Sequence, residues 1–134
     1  MGKDIETKVW DVAVIGGGPA GMIAAGRAAE SGASVILLEK NASLGKKLLI
    51  TGGGRCNVTN AEFDDRVLLS KYGEGGKYLS SPFATWNAKK SIEFFESRNM
   101  PTKIEAEKRV FPVSDKARSV YEVLIEYMKA GNVT

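Results

Sequence analysis

Residues 9–21 read VWDVAVIGGGPAG. The first seven, VWDVAVI, form an apolar run rich in β-branched side chains, which predicts a strand covered on both faces, as in a parallel sheet. Glycines follow at once, and Gly16-Gly17-Gly18-Pro19-Ala20-Gly21 has the spacing GxGxxG. From Pro19 to Ser31 the chain is mostly alanine. Pro19 suits a first helical turn, and Gly32 is placed as the left-handed residue that ends the helix. A second apolar run, SVILLE, occupies 34–39. Strand, helix and strand over residues 9–40 predict a right-handed parallel βαβ crossover.

A bare GxGxxG is common in turns, so its context decides its meaning. Here it leaves a strand, opens a helix and is followed about 20 residues later by an acid, Glu39, at the end of the next strand, which completes the dinucleotide-binding fingerprint. Each position has a physical task. Gly16 lets the chain turn sharply, Gly18 keeps side-chain atoms away from an approaching pyrophosphate, and Gly21 lets the helix close on the sheet. Ala25 and Ala28 continue that small-residue contact, while Pro19 and Ala20 open the helix whose positive end faces the phosphates. Glu39 is suited to accept hydrogen bonds from ribose hydroxyls and to repel a 2′-phosphate, so FAD or NAD is favoured over NADP; Lys40 weakens that exclusion. Standing alone, Glu39 is an ordinary charged strand end.

Beyond this unit, residues 44–60 are dense in glycine and cations and read as a loop with a short helical piece. No element is placed in 61–78. Ala88, Ile92 and Phe95 recur at helical spacing over 87–98, with Pro101 just beyond. Residues 102–113 read as a hairpin turning near Glu107, with Ile104, Val110 and Phe111 on its apolar side. Ser114 and Asp115 read as a cap and first-turn acid for a helix over 115–130, on which Ala117, Val120, Leu124 and Met128 share a face and Gly131 is the stop. A third parallel strand is expected to start at Asn132–Thr134. The domain reading is therefore residues 1–134 as the N-terminal part of a dinucleotide-binding domain, with an α+β insertion over 61–113.

The whole chain has 134 residues, 43% apolar and 26% charged, which is enough for a core. No run approaches the ~20 apolar residues of a membrane span, and MGKDIETKVW lacks a leader's apolar stretch, so a cytoplasmic protein is expected. The 19 basic and 16 acidic residues are intermixed, and the pairs Lys46-Lys47 and Lys89-Lys90 are too short to imply a nucleic-acid partner. With no histidine and one cysteine, Cys56, a His-based triad, a His-bearing zinc site and an internal disulfide are excluded; no metal is expected.

Two further stretches, GKKLLITGGGRCNVTN at 45–60 and RVFPVSDKA at 109–117, resemble a bacterial flavoprotein family described as BaiN-like, NAD(FAD)-utilizing dehydrogenases or aminoacetone oxidase-like. The resemblance implies a Rossmann-like FAD-binding domain of the glutathione-reductase-like superfamily, within a longer two-domain oxidoreductase that exchanges electrons with NAD(P)H or an organic substrate. It assigns Thr51 to Asn57, including Gly53, Gly54, Arg55 and Cys56, to the pyrophosphate and isoalloxazine end of FAD. Physically, Gly52, Gly53 and Gly54 offer bare amides there, and Lys46, Lys47 and Arg55 offer positive charge. The alternative for such a glycine run is a solvent loop. The superfamily's disulfide reductases have a second cysteine five residues on; here that position is Ala61, so a dithiol relay is excluded and Cys56 reads as a small buried residue. The flavin carries the redox chemistry, no residue of this chain has to be an acid or base, and the catalytic residues stay unassigned. The competing class is a non-catalytic module that holds NAD or FAD. An unpaired sheet edge also makes self-association an expectation.

Overall fold

The structure, a computed structural model, describes residues 8–134; the first seven, which the leader argument and the 1–134 domain reading include, lie outside the described residues. The chain divides into two compact units. One comprises the chain up to Lys46 together with Leu124–Thr134, and the other is Lys47–Val123.

The first unit is built on β1 (Val12–Ile15), α1 (Pro19–Glu30) and β2 (Val35–Leu38). The strands pair in parallel, Val12 opposite Val35 through Ile15 opposite Leu38, as the βαβ reading requires. β1 starts at Val12, three residues later than the apolar run, because Asp11 serves as a staple. Its carboxylate accepts from the Ser34 amide (2.8 Å) and hydroxyl (2.7 Å), tying the entry of β1 to that of β2. α1 ends with Gly32 at φ +92, and the Ala33 amide donates to the Ala28 carbonyl, a Schellman closure.

α5 (Ala117–Ala130) contributes its last turns to this unit. The Tyr127 ring lies where a Cβ on Gly26 would be, and its hydroxyl donates to Glu30 (2.8 Å). After α5, the Thr134 amide donates to the Val35 carbonyl (3.0 Å) and the Leu37 amide to the Thr134 carbonyl (2.8 Å). That alternation is a parallel bridge opposite Ile36, on the side of β2 away from β1, but among the described residues Asn132–Thr134 form no third strand and the sheet has two.

This order corrects one expectation. Among the described residues β1 is not covered on both faces: its residues alternate between half-buried and exposed, and Ile15 is 87% exposed. The strands step in one direction, and right-handed connections then put their helices on the same face. α5 ends at Ala130, directly before Gly131 as expected, but Gly131 is not the left-handed residue there. Asn132 is, at φ +54, with the Val133 amide on the Met128 carbonyl, while Gly131 is needed for close contact with Ala29.

The second unit centres on a three-stranded antiparallel sheet in the order β3 (Thr59–Asn60), β5 (Arg109–Pro112), β4 (Thr102–Glu105). β4 and β5 form the anticipated hairpin, with Ile104 opposite Val110 and the turn at Ala106–Lys108. Because β5 is central, successive residues on its two faces, Val110 and Phe111, are both buried. Ile104, on the edge strand, is 56% exposed and is not core as expected. β3, α2 (Asp65–Ser70) and α3 (Gly76–Thr85) occupy stretches given no regular element by the sequence reading. α4 (Ala88–Glu96) starts where the Asn87 side chain accepts from the Lys90 amide and buries Ala88, Phe94 and Phe95. α5 starts at Ala117, two residues later than expected: Asp115 has φ +56 and is not in the helix.

Candidate dinucleotide site

Four glycines lie at the bend from β1 into the first turn of α1, and the structure gives three of them a reason to be glycine. Gly16 has φ +100, a conformation side chains rarely adopt. A Cβ on Gly21 would overlap the Gly16 carbonyl oxygen, so α1 can approach the bend only without one. A Cβ on Gly17 would run into Leu44 and Glu39. Gly18 differs: its backbone is extended (φ −77, ψ 177) and its Cβ position has nothing within 4 Å. Gly18 is the N-cap of α1 yet supplies no side-chain cap. Pro19 is the first helical residue, and no acid lies in the first turn. The positive end of α1, carrying the amides of Ala20 and Gly21, thus receives neither a side-chain cap from Gly18 nor a first-turn acid.

Glu39 follows β2 and reaches back to this bend. One carboxylate oxygen accepts from the Gly17 amide (2.7 Å), the other from the Asn41 amide (2.8 Å). These bonds, that from Asn41 foremost and then that from Gly17, hold its carboxyl below the usual glutamate range, so the group is anionic at neutral pH. The Gly45 amide donates to the Gly17 carbonyl (2.8 Å), and Leu44 packs against Gly17. Gly16–Gly21, Glu39 and the 44–45 segment are therefore assembled within one unit. Lys40 and Lys46 belong to the same unit and are solvent-exposed. The role of Gly17 was missed by the sequence reading, which treated it as a variable position; the signal available was that Gly17 fills the middle of three consecutive glycines where GxG asks for only the outer two.

The remaining residues named from sequence lie in the second unit. Leu48–Gly54 is a 3-10 segment broken at Thr51, after which Gly52, Gly53 and Gly54 have φ +57, +66 and +85. Three successive left-handed residues are accessible to glycine at little cost. Gly53 and Gly54 have nothing within 4 Å of their Cβ positions, whereas Gly52 is pressed against Phe111 and the Asn57 amide. Lys47 and Asn57 are exposed.

Arg55 does not offer free positive charge. Its Nε donates to Asp115 Oδ1 (2.8 Å), its Nη2 pairs with Glu105, and the guanidinium lies 4.1 Å over the Phe111 ring. Lys103 Nζ completes the group at 2.6 Å from Asp115 and 3.3 Å from Glu105. Arg55 foremost, then Lys103, holds the Glu105 carboxyl below its usual range; for Asp115 the order is Lys103, then Arg55. Two cations thus face two anions. Glu105, Asp115 and Lys103 were given no such part by the sequence reading, which made Asp115 a helix-start acid; pairings over 12, 50 and 60 residues leave no local pattern.

Cys56 is 7% exposed, as expected of a small buried residue, but it holds φ +61, a conformation unusual for a residue with a side chain. Burial pushes its thiol up from the ordinary value, against a hydrogen bond with Thr51. Among the described residues no helix is long and apolar enough to cross a membrane.

Known proteins are similar to this chain in sequence. The chain is 37% identical over 115 residues to a 3-dehydro-bile acid delta(4,6)-reductase of Clostridium scindens, covering 84% of this chain and 27% of the relative. It is 29% identical over 125 residues to a ribosomal RNA dihydrouridine synthase of Escherichia coli, covering 93% and 30%. A digeranylgeranylglycerophospholipid reductase of Methanosarcina mazei is 44% identical over 78 residues, covering 57% and 19%. The chain thus spans less than a third of the length of these curated relatives. The HI0933-like protein Rossmann domain matches residues 10–134, and with the parallel β1–β2 pair and its glycine bend this places the chain in that HI0933-like, BaiN-like family.

Proposed function

We propose that the chain is the FAD-binding portion of a flavin-dependent oxidoreductase. The observation that carries the reading is Gly18. Neither its backbone conformation nor any neighbour requires glycine, yet a side chain there would occupy the space directly before the uncapped end of α1. A diphosphate approaching those amides supplies the missing reason. In this reading Gly16, Gly18, Pro19, Ala20 and Gly21 form the diphosphate cradle. Glu39, anionic and fixed by Gly17 and Asn41, accepts from the adenosine ribose and disfavours a 2′-phosphate, with Lys40, Lys46 and Lys47 adding positive charge. The assignment of Thr51 to Asn57 to the flavin side rests on the sequence resemblance, supported by the open space at the Cβ positions of Gly53 and Gly54.

A flavin held there would supply two-electron transfer between a donor such as NAD(P)H and an organic substrate. The chain's own residues bind and orient it. The relatives' names share a reducing sense, two as reductases and one as the maker of dihydrouridine, which carries two more hydrogens than uridine. We therefore assign the reaction to the reduction of an unsaturated organic substrate. Those names range over a bile acid, ribosomal RNA and a phospholipid, so the substrate class is a property of sequence outside this domain.

The test is to purify the full-length protein, record its visible spectrum and add NADH or NADPH without oxygen. A yellow protein whose flavin absorbance bleaches supports the reading. A colourless protein that binds NAD overturns it in favour of a non-catalytic nucleotide-binding module.

A further inference from the structure

We propose that Glu105 and Asp115 are positioning residues that act through Arg55 to hold the Gly52–Gly54 turn in the shape that receives the flavin. The inference rests on the flavin reading above. The turn has little to define it locally. Three glycines with φ +57 to +85 have the widest conformational choice of any residues, and Gly53 and Gly54 touch nothing at their Cβ positions. Its fixed point is the next residue. Arg55 is held on one side by the Phe111 ring, which also lies 3.3 Å from the Cβ position of Gly52, and on the others by Glu105 and Asp115.

The two carboxylates come from different segments, the end of β4 and the bend before α5, so the fork of Arg55 joins both to the turn. Lys103 bridges the same two carboxylates and keeps them facing inward. Cys56 follows Arg55 directly, holds φ +61, is 7% exposed and donates its amide to the Thr51 carbonyl (3.0 Å). The four charges cancel. The pairs therefore fix geometry and add no net charge beside the turn. Side chains in the group are 29–45% exposed, so dissolved salt weakens the pairing.

Cys56, the sole cysteine in this sequence, reports on the turn without any cofactor. The protein and its Glu105→Gln/Asp115→Asn double variant are treated with a maleimide, and labelling at Cys56 is followed by peptide mass spectrometry; FAD affinity is measured by titration. The double variant is expected to label about tenfold faster and to bind FAD about tenfold more weakly. Raising salt from about 0.05 to about 0.5 M should speed labelling of the parent and leave the double variant unchanged. If the double variant does not fold, Glu105→Gln alone, which leaves Asp115 on both cations, should give a smaller change in the same direction. Equal labelling and equal FAD affinity in parent and variant would overturn the proposal, as would the same salt response in both. If the parent binds no FAD, the flavin reading falls and the proposed flavin role with it, while the labelling arm still decides whether the carboxylates hold the turn.

Discussion

At the scale of single residues, Gly18 and Gly21 separate binding from folding. Serine at position 18 is sterically free, fits the extended backbone and is a better helix cap than glycine, so Gly18→Ser should leave thermal stability unchanged or slightly raised. Its hydroxymethyl group would stand where the diphosphate has to come, and flavin retention should fall by about tenfold or more. Gly21→Ala reverses this. Its methyl group meets the Gly16 carbonyl, backbone that cannot rotate away, and overpacking of this kind costs about 1–3 kcal/mol. Thermal denaturation of the two variants, set beside their flavin content, tests the division. Loss of stability in Gly18→Ser equal to that in Gly21→Ala would remove the argument for an external ligand at position 18.

At the scale of elements, what could be read in the sequence depended on whether the cause of an element lay within it. The βαβ unit was legible because Pro19, the alanines and Gly32 mark the limits of α1 from inside. The β4–β5 hairpin and α4 were legible for the same reason: apolar residues on either side of a polar turn near Glu107 in one, apolar residues at helical spacing before Pro101 in the other. α3 was not, since glycine at its start and Pro82 within it are poor helix formers; its position relies on packing beside α2. β3 is two residues long and exists only because β5 offers a partner. The glycine half of the site was legible at Gly16, Gly18 and Gly21, whereas the Arg55 group depends on residues brought together by the sheet.

α2 did carry a local signal that the reading passed over. Asp64 caps it, accepting from the amides of Arg66 and Val67. A six-residue helix has few bonds to lose, so Asp64→Ala, at about 1 kcal/mol, should raise hydrogen exchange across Asp65–Ser70 and leave α4 protected. Unchanged exchange in α2 would show that packing, not the cap, sets its start.

Across the whole molecule, carboxylates held below their usual range occur in both units: Asp11 and Glu39 in one, Glu62, Glu105 and Asp115 in the other. Each is more acidic folded than unfolded, so the unfolded chain binds protons first as pH falls. The stability they contribute is therefore complete above the ordinary values of 3.8 for aspartate and 4.5 for glutamate, and is lost as pH drops through the depressed folded values. Net charge works in the same direction. With 19 basic residues, 16 acidic ones and no histidine, the charge is +3 at neutral pH and rises steadily as the acids protonate, adding self-repulsion to the lost hydrogen bonds. Nothing in the side-chain composition titrates between about pH 5 and 8. The thermal midpoint should therefore be flat across that interval and fall steeply below about pH 4. Added salt should recover the part due to repulsion but not the part due to protonated Glu39 or Asp115. A midpoint at pH 3 equal to that at pH 7 would mean that these carboxylates are no better held in the folded chain than in the unfolded one. The bonds from Gly17 and Asn41 to Glu39 would then be too weak to fix the acid beside the glycine bend.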